Sequence, residues 1–525
     1  MSQKDNSEKV DKGLRLLVKT SFVVFVGIFI SKLFAYVYRI IIARYYGPEI
    51  YGLFSLAVMI VSWIVAISLF GLTNGLLRFI PLYRGKKQFN KIKHLIKFSA
   101  ITLLFLSIFS AAMLFLFSEF ISINLFHDSD LIIFLKIFSF LIPFVIFSSL
   151  YLEILRAFEE ISWYSFIFNI LQNVSRIIFL LLFILLGIQT NGIIFSYFLS
   201  FFAMFLVSYF VCKYKFSKFF EKSNLNKKAK SEINKKFVSY SWPIMFSSVL
   251  GSIFFWLDSF LIGYFLGATE VGIYNAAVPI VLLLGFAPEI FMQLFFPLIT
   301  KEFSKKNLST INELSKQVGK WIFLINLPLF FIMLIFPGVI IKILFGESYL
   351  LAENSLRILS IGYFISRSLV ISNQLILITG KSRLFLVNII LSLGINFLLN
   401  ILLIPKYGIS GAAMSTTIVL VASAIVFVWQ AKHYTSIIPL KRKMIRIFFV
   451  SIIPLLLLFS IKKIVPINYV SFFLLGFFFI LSYLILIFMT GCLDKNDFMI
   501  LKSLRKRVSE KNNYEKNKDH PPSGY

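Results

Sequence analysis

The amino-acid sequence predicts an all-α integral membrane protein of about fourteen transmembrane helices, built as two six-helix lobes in a parallel pseudo-repeat plus two extra helices. Three observations carry the prediction. Hydrophobic residues fill 58% of the 525 positions and include 64 phenylalanines, well above the roughly 45–50% of soluble domains. Apolar runs of about 20 residues, each able to span a bilayer, follow one another along the chain. The stretch IIARYYGPEIYGLFSLAVMI, Ile41 to Ile60, returns as LIGYFLGATEVGIYNAAVPI, Leu261 to Ile280. Gly47 then falls on Gly267, Gly52 on Gly272, Ala57 on Ala277 and Ile60 on Ile280. Tandem halves are the usual build of a secondary transporter, whose site lies between them.

Taken in order, the spans are expected at 20–43, 51–73, 96–118, 131–153, 163–187, 191–212, 239–266, 271–297, 320–345, 352–379, 384–404, 410–432, 444–465 and 468–490. The net charge of +29 raises a nucleic-acid reading, but the distribution of charge argues against it. Basic residues gather on alternate connections: Lys4 to Lys19 before the first span, Arg84 to Lys97 after the second, and Lys213 to Lys236 after the sixth. Lys301, Lys305 and Lys306 follow the eighth, Lys441 to Lys443 precede the thirteenth, and Arg505 to Arg507 lie in the tail. The remaining connections carry HDSD at 127–130, Glu270, Glu347 or almost no charge. The positive-inside rule then places both termini in the cytoplasm, which an even number of spans permits. The polar first twenty residues do not read as a cleavable secretion signal. Cys212 and Cys492 both fall at predicted cytoplasmic helix ends, so neither a disulfide nor a metal framework is expected. His94, His127, His433 and His520 are scattered and define no site.

The expected organisation is a cytoplasmic tail (1–19), an N-lobe (20–215), a basic linker (216–238), a C-lobe (239–433), two appended helices (444–490) and a basic cytoplasmic tail (491–525). GIQTNG at 187–192 and GISGAA at 408–413 occupy matching places between the fifth and sixth helices of the two halves. Six is even, so both halves enter from one side and should be related by an axis along the membrane normal. The glycine pairs in GPEIYG and GATEVG read as tight corners between helices, where left-handed backbone is needed. The end of the tail, KNNYEKNKDH, reads as disordered.

Polar residues at membrane depth are the candidate site. Lys32, Tyr36 and Arg39 share a face of the first helix at i, i+4 and i+7, and Asn74 and Arg78 stand one turn apart near the end of the second. The fifth carries Asn169, Gln172, Asn173 and Arg176; the seventh Ser247, Gly251 and Asp258; the eighth Glu289 and Gln293. Arg367 and Gln374 share a face of the tenth, and Asn388, Ser392, Asn396 and Asn400 recur at every fourth position of the eleventh. Converging stripes set Lys32, Arg39, Arg78, Arg176 and Arg367 against Asp258 and Glu289. Five cations facing lipid would cost roughly 12–17 kcal/mol. A hydrated cationic cavity avoids that cost and suits a phosphate or pyrophosphate head group.

Blander readings stand beside this one. Arg78 and Arg39 could snorkel to the two membrane surfaces. Lys32 and Arg176 could form structural ion pairs, with Asp258 as partner. The asparagine row could be interhelical glue. Asp128-Ser129-Asp130 matches a DxD pattern, but before a helix it reads more simply as an N-cap, and the short external loops leave no room for a catalytic fold. The protein is therefore not expected to be an enzyme.

The segments IIARYYGPEIYGLFSLA (41–57), GLTNGLLRFIPLYR (71–84), WLDSFLIGYFLGATEVGIYNAA (256–277) and KYGISGAA (406–413) resemble the oligosaccharide flippases of polysaccharide biosynthesis, in the multidrug/oligosaccharidyl-lipid/polysaccharide exporter superfamily. The resemblance spans residues 13–490. It implies twelve to fourteen helices in two lobes around a central cavity, and movement of a polyprenyl-(pyro)phosphate-linked oligosaccharide to the outer leaflet by alternating access. By resemblance, Arg44, Arg78 and Asp258 sit where the family often carries these residue types, Arg44 at the outer rim. A multidrug or metabolite exporter and a lipid II flippase share the architecture; a non-transporting scaffold for glycan assembly is a further alternative. Expected partners are the lipid-linked oligosaccharide, the bilayer and glycosyltransferases of the same pathway, with no nucleic acid. No cofactor is expected, and H+ or Na+ coupling is left open.

Overall fold

The computed structural model describes residues 3–464 and 468–494, with side chains from residue 30 onward except those of Leu294, Lys463 and Tyr469. The basic groups of the first nineteen positions and the tail from 495, including the stretch expected to be disordered, lie outside that description. Every regular element is helical among the described residues. The first half comprises α1 (Gln3–Ser68), α2 (Leu72–Gly85), α3 (Phe89–Phe120), α4 (Leu131–Ala157), α5 (Ile161–Ser165), α6 (Gln172–Leu185) and α7 (Thr190–Phe216). The second comprises α8 (Lys227–Phe265), α9 (Ala268–Leu282), α10 (Phe286–Ser304), α11 (Leu308–Ile335), α12 (Pro337–Leu344), α13 (Glu353–Ser368), α14 (Ile371–Ile378), α15 (Ser382–Tyr407) and α16 (Ile409–Thr435). Two more, α17 (Arg442–Ile464) and α18 (Tyr469–Met489), follow.

Thirteen helical stretches among the described residues are long and apolar enough to cross a membrane, and the protein is a multi-pass membrane protein. The difference from fourteen lies in α1. There the expected first and second spans run as one helix, bent at Gly47, whose φ of 83° leaves the helical region. Gly267 makes the matching corner between α8 and α9 at φ 103°. Only glycine adopts such a backbone without strain.

Gly52 and Gly272 do something else. Both lie inside helices, where a Cβ on Gly52 would sit 1.7 Å from the Ala268 carbonyl oxygen and one on Gly272 would sit 1.9 Å from that of Pro48. Pro48 and Ala268 are themselves repeat equivalents, 220 residues apart. The doubled motif thus packs on its own copy, backbone against backbone, with each glycine pressed on the other half. This corrects the expectation that all four glycines serve turns.

Within the first half α4 packs against α1, α2, α3 and α7; within the second α16 packs against α13, α14 and α15. The halves meet where α1 crosses α8, α9 and α10 and where α2 crosses α8. The appended pair α17 and α18 pack on each other and on α11. Helix α8 begins at Lys227, inside the stretch expected as linker, because Asn226 caps it by accepting from the Ala229 amide at 2.9 Å. Ahead of α4, Asp128 accepts the Asp130 amide at 3.0 Å, closing a local turn rather than capping the helix.

Candidate functional site

A cavity of about 540 Å³ opens between the halves. Its walls bring together Lys32, Tyr36 and Arg39 from α1, Glu289 from α10 and Arg367 from α13. The i, i+4, i+7 spacing on α1 places its three residues on one face, as a straight helix requires. The other side is built where helices break. The polypeptide passes from α9 through a 3₁₀ turn at Leu283–Gly285 into α10, and from α13 through Leu369 and Val370 into α14. Glu289 lies in the first turn of α10 and Arg367 in the last turn of α13. Interrupted spans beside a cavity are the pattern expected of a transport site, since their freed backbone groups need water or ligand.

Lys32 forms an ion pair with Glu289, and its ammonium sits 4.8 Å from the Phe286 ring centroid. The lysine expected to pair with Asp258 therefore pairs with Glu289 across the two halves. Arg39 lines the same wall, and beyond it the Tyr51 hydroxyl donates to the Asn275 carbonyl at 3.2 Å. Arg367 stacks 5.6 Å from Tyr363, and its Nε is buried without a hydrogen-bond partner. Three cations face one carboxylate, leaving the cavity two charges positive.

The other two expected cations are elsewhere. Arg78 is exposed and stacks on Tyr240 of α8 at 4.2 Å. Arg176 lies over Tyr197, Tyr38 and Phe201 at 4.5, 5.2 and 5.5 Å, inside the first half, and has no carboxylate partner among the described residues. Asn74 lines a separate, mostly apolar cavity of about 290 Å³ between α1, α2, α4, α7 and α8. Asn169 bonds to Ser165 at 3.0 Å, and Asn173 to Ser31 at 3.4 Å and to the Asn169 carbonyl at 2.9 Å. Gln374 lies in α14, one turn past the wall residue Val370, and does not line the cavity.

Asp258 is the centre of a second polar cluster, buried in the second half. Its carboxylate accepts from Tyr274 and Thr416 hydroxyls at 2.6 Å each and from the Asn400 amide at 3.0 Å. No cation lies within ion-pair distance of it among the described residues. Asn396 donates to Thr416 at 3.0 Å. The Asn400 side-chain oxygen is buried without a donor. Asn388 exchanges two amide bonds with Gln430, at 2.7 and 3.1 Å. The asparagine row thus ties α15 to α16 and α8, away from the cavity.

Arg44 lies outside the cavity. It donates to the last carbonyls of α12, at 2.8 Å to Leu344 and also to Ile343, so a cation neutralises that helix end. Tyr349 adds a bond to the Ala43 carbonyl at 2.9 Å.

Sequence reasoning missed two features. Lys320 of α11 is fully buried, 3.1 Å from Asp494, which also binds Lys441 and Lys443; its position at an expected span boundary concealed it. Phe286, whose ring faces the Lys32 ammonium, carries no charge that would single it out.

The sequence profile of the family described as "Polysaccharide biosynthesis protein" matches residues 17–303, and that described as "MatE" matches residues 243–402. A Shigella flexneri protein named "Putative O-antigen transporter" is 26% identical over 411 residues, covering 75% of this chain and 93% of its own. A Haloferax volcanii protein named "Probable low-salt glycan biosynthesis flippase Agl15" is 28% identical over 251 residues, 46% of this chain and 51% of that one. Among solved structures, a "Lipid II flippase MurJ, inward closed conformation" superposes with a TM-score of 0.70 at 18% identity, over 88% of this chain and 98% of that one. An inward-facing multidrug resistance MATE family transporter gives 0.64 at 16% identity, over 77% and 94%; at these identities the likeness is one of fold. Because the first profile spans more than half of the polypeptide, the chain belongs to the polysaccharide biosynthesis protein family.

Proposed function

We propose that the protein carries a polyprenyl-(pyro)phosphate-linked oligosaccharide from the cytoplasmic to the outer leaflet of the cell membrane by alternating access. The observation that carries this reading is the cavity between the halves, where Lys32, Arg39 and Arg367 face Glu289 alone. A pyrophosphate carries the charge that such a wall attracts, and guanidinium groups bind it bidentately. The glycan would occupy the hydrated space while the prenyl tail stays in lipid. The names of the two relatives support the cargo class, and the basic connections support cytoplasmic termini. Glycosyltransferases assembling the glycan are the natural partners, and no catalytic step by this chain is needed. The test is Lys32→Glu, Arg39→Glu and Arg367→Glu, one at a time, followed by surface glycan and protein level. Each is expected to abolish export at a normal protein level. Export surviving all three overturns the reading, and export of lipid II in place of glycan would favour the lipid II alternative.

Coupling to H+ or Na+ is assigned here to Asp258. A buried carboxylate with no cationic partner is costly as a bare anion, so a proton or a small hard cation offsets it, with the Asn396, Asn400 and Thr416 oxygens at hand. Asp258→Asn is expected to leave the protein folded while removing the dependence of flux on the ion gradient. Unchanged dependence in proteoliposomes sinks this assignment.

A further inference from the structure

A basic cleft where α3 meets the α7–α8 connection and the start of α8 shares no lining residue with the cavity between the halves. Its volume is about 370 Å³, within the range of small-ligand sites. Lys97 of α3 forms one wall, Lys222 and Ser223 of the α7–α8 connection another, and Lys230, in the first turn of α8, the third. The walls are held in place. Lys93 pairs with Glu221 at 2.7 Å, Ser223 donates to the Asn90 carbonyl at 2.9 Å, and His94 meets Asn234 at 2.9 Å. These contacts fasten the connection and α8 over the start of α3.

Two neighbouring lysines are matched, Lys93 with Glu221 and Lys215 with Glu160 at 2.8 Å. Lys97, Lys222 and Lys230 have no carboxylate partner among the described residues. The floor is apolar, made by Phe98 and Ile101 with Thr102. Below Lys97 the lipid-facing side of α3 continues as Ile101, Leu104, Phe105 and Ile108, which are 58%, 48%, 70% and 56% exposed. Three cations lining one cleft thus adjoin an exposed apolar side of α3.

We propose that this cleft binds an anionic phospholipid, its phosphate among Lys97, Lys222 and Lys230 and one acyl chain along α3. Juxtamembrane lysine clusters recognise anionic head groups in this way. The bound lipid would hold the α7–α8 connection, which joins the two halves, to the membrane surface.

The test uses the full chain in nanodiscs of phosphatidylcholine with a fraction of phosphatidylglycerol, with retained lipid counted by native mass spectrometry. Wild type is expected to retain phosphatidylglycerol selectively. The triple variant K97Q/K222Q/K230Q should weaken that retention about a hundredfold, and Thr102→Phe, which fills the cleft and spares its charges, should also reduce it. Loss of equal surface charge elsewhere, in K86Q/K87Q/K301Q, should leave it unchanged. Undiminished retention in the first triple variant overturns the proposal, as does an equal loss in the control triple. So does soluble glycerol phosphate binding as tightly as the lipid, since the site would then belong to a free anion.

Discussion

Arg176 and Arg367 are both arginines at membrane depth, and nothing in their immediate sequence separates them. Arg367 ends a helix at the cavity; Arg176 is wrapped by three aromatic rings. A helical stripe reports which residues share a face, not what that face meets, so five cations read as one group divide into three and two. The three rings can stabilise the guanidinium by about 0.5–2 kcal/mol per well-placed ring, which points to a structural part for Arg176. Arg176→Met is accordingly expected to lower thermal stability and cellular protein level while transport per folded molecule persists. Flux normalised to folded protein checks this, and a transport loss at full stability would return Arg176 to the transport path.

Among elements, the periodic apolar runs made the existence of the spans legible but not all their limits: the ninth, expected at 320–345, is the helix Leu308–Ile335 followed by the separate Pro337–Leu344, and the seventh, expected from 239, starts at Lys227. Three local features did not show. The stripe of Asn169, Gln172, Asn173 and Arg176 assumes α-helical spacing, but Phe166–Leu171 is π-helical; the wider turn slips the register of everything ahead of it. The start of α8 inside a lysine-rich stretch was hidden by composition. The packing role of Gly52 and Gly272 was hidden because a glycine pair at a corner and one at a contact look alike in sequence. That contact makes a prediction. A methyl at position 52 must push the halves apart, at about 1–3 kcal/mol for an overpacked contact. Gly52→Ala is expected to speed maleimide labelling of a Ser55→Cys reporter, which is 3% exposed in the native protein. Arg44→Ala, which frees the end of α12, should act in the same direction but more weakly. Unchanged labelling in both would show that neither contact holds the halves together at this end.

The molecule as a whole is held by contacts between distant parts of the chain, which only coordinates reveal. Asp494 joins Lys320 of α11 to Lys441 and Lys443 at the start of α17. Burial works against its ionisation, yet hydrogen bonds from Lys441, Lys443 and Lys320 and the charge of Lys320 hold its carboxyl well below the usual range. A carboxyl depressed in the folded state stabilises above its ordinary value of 3.8 and loses that contribution as the pH falls. Asp494→Asn is thus expected to lower the melting temperature at neutral pH and to narrow its deficit toward acid; a deficit constant with pH would mean the charge is not what matters.

The bridge from Lys32 to Glu289 gives an unladen carrier a tenant of its own. On the proposed function, an arriving diphosphate would have to evict the glutamate from the lysine, and after delivery the glutamate would reclaim its place. At Lys32, binding strength would then be a margin between two anions competing for one ammonium. Glu289→Gln should grip inorganic pyrophosphate more tightly yet turn over more slowly, and equal affinity in titration calorimetry would show that no such contest takes place.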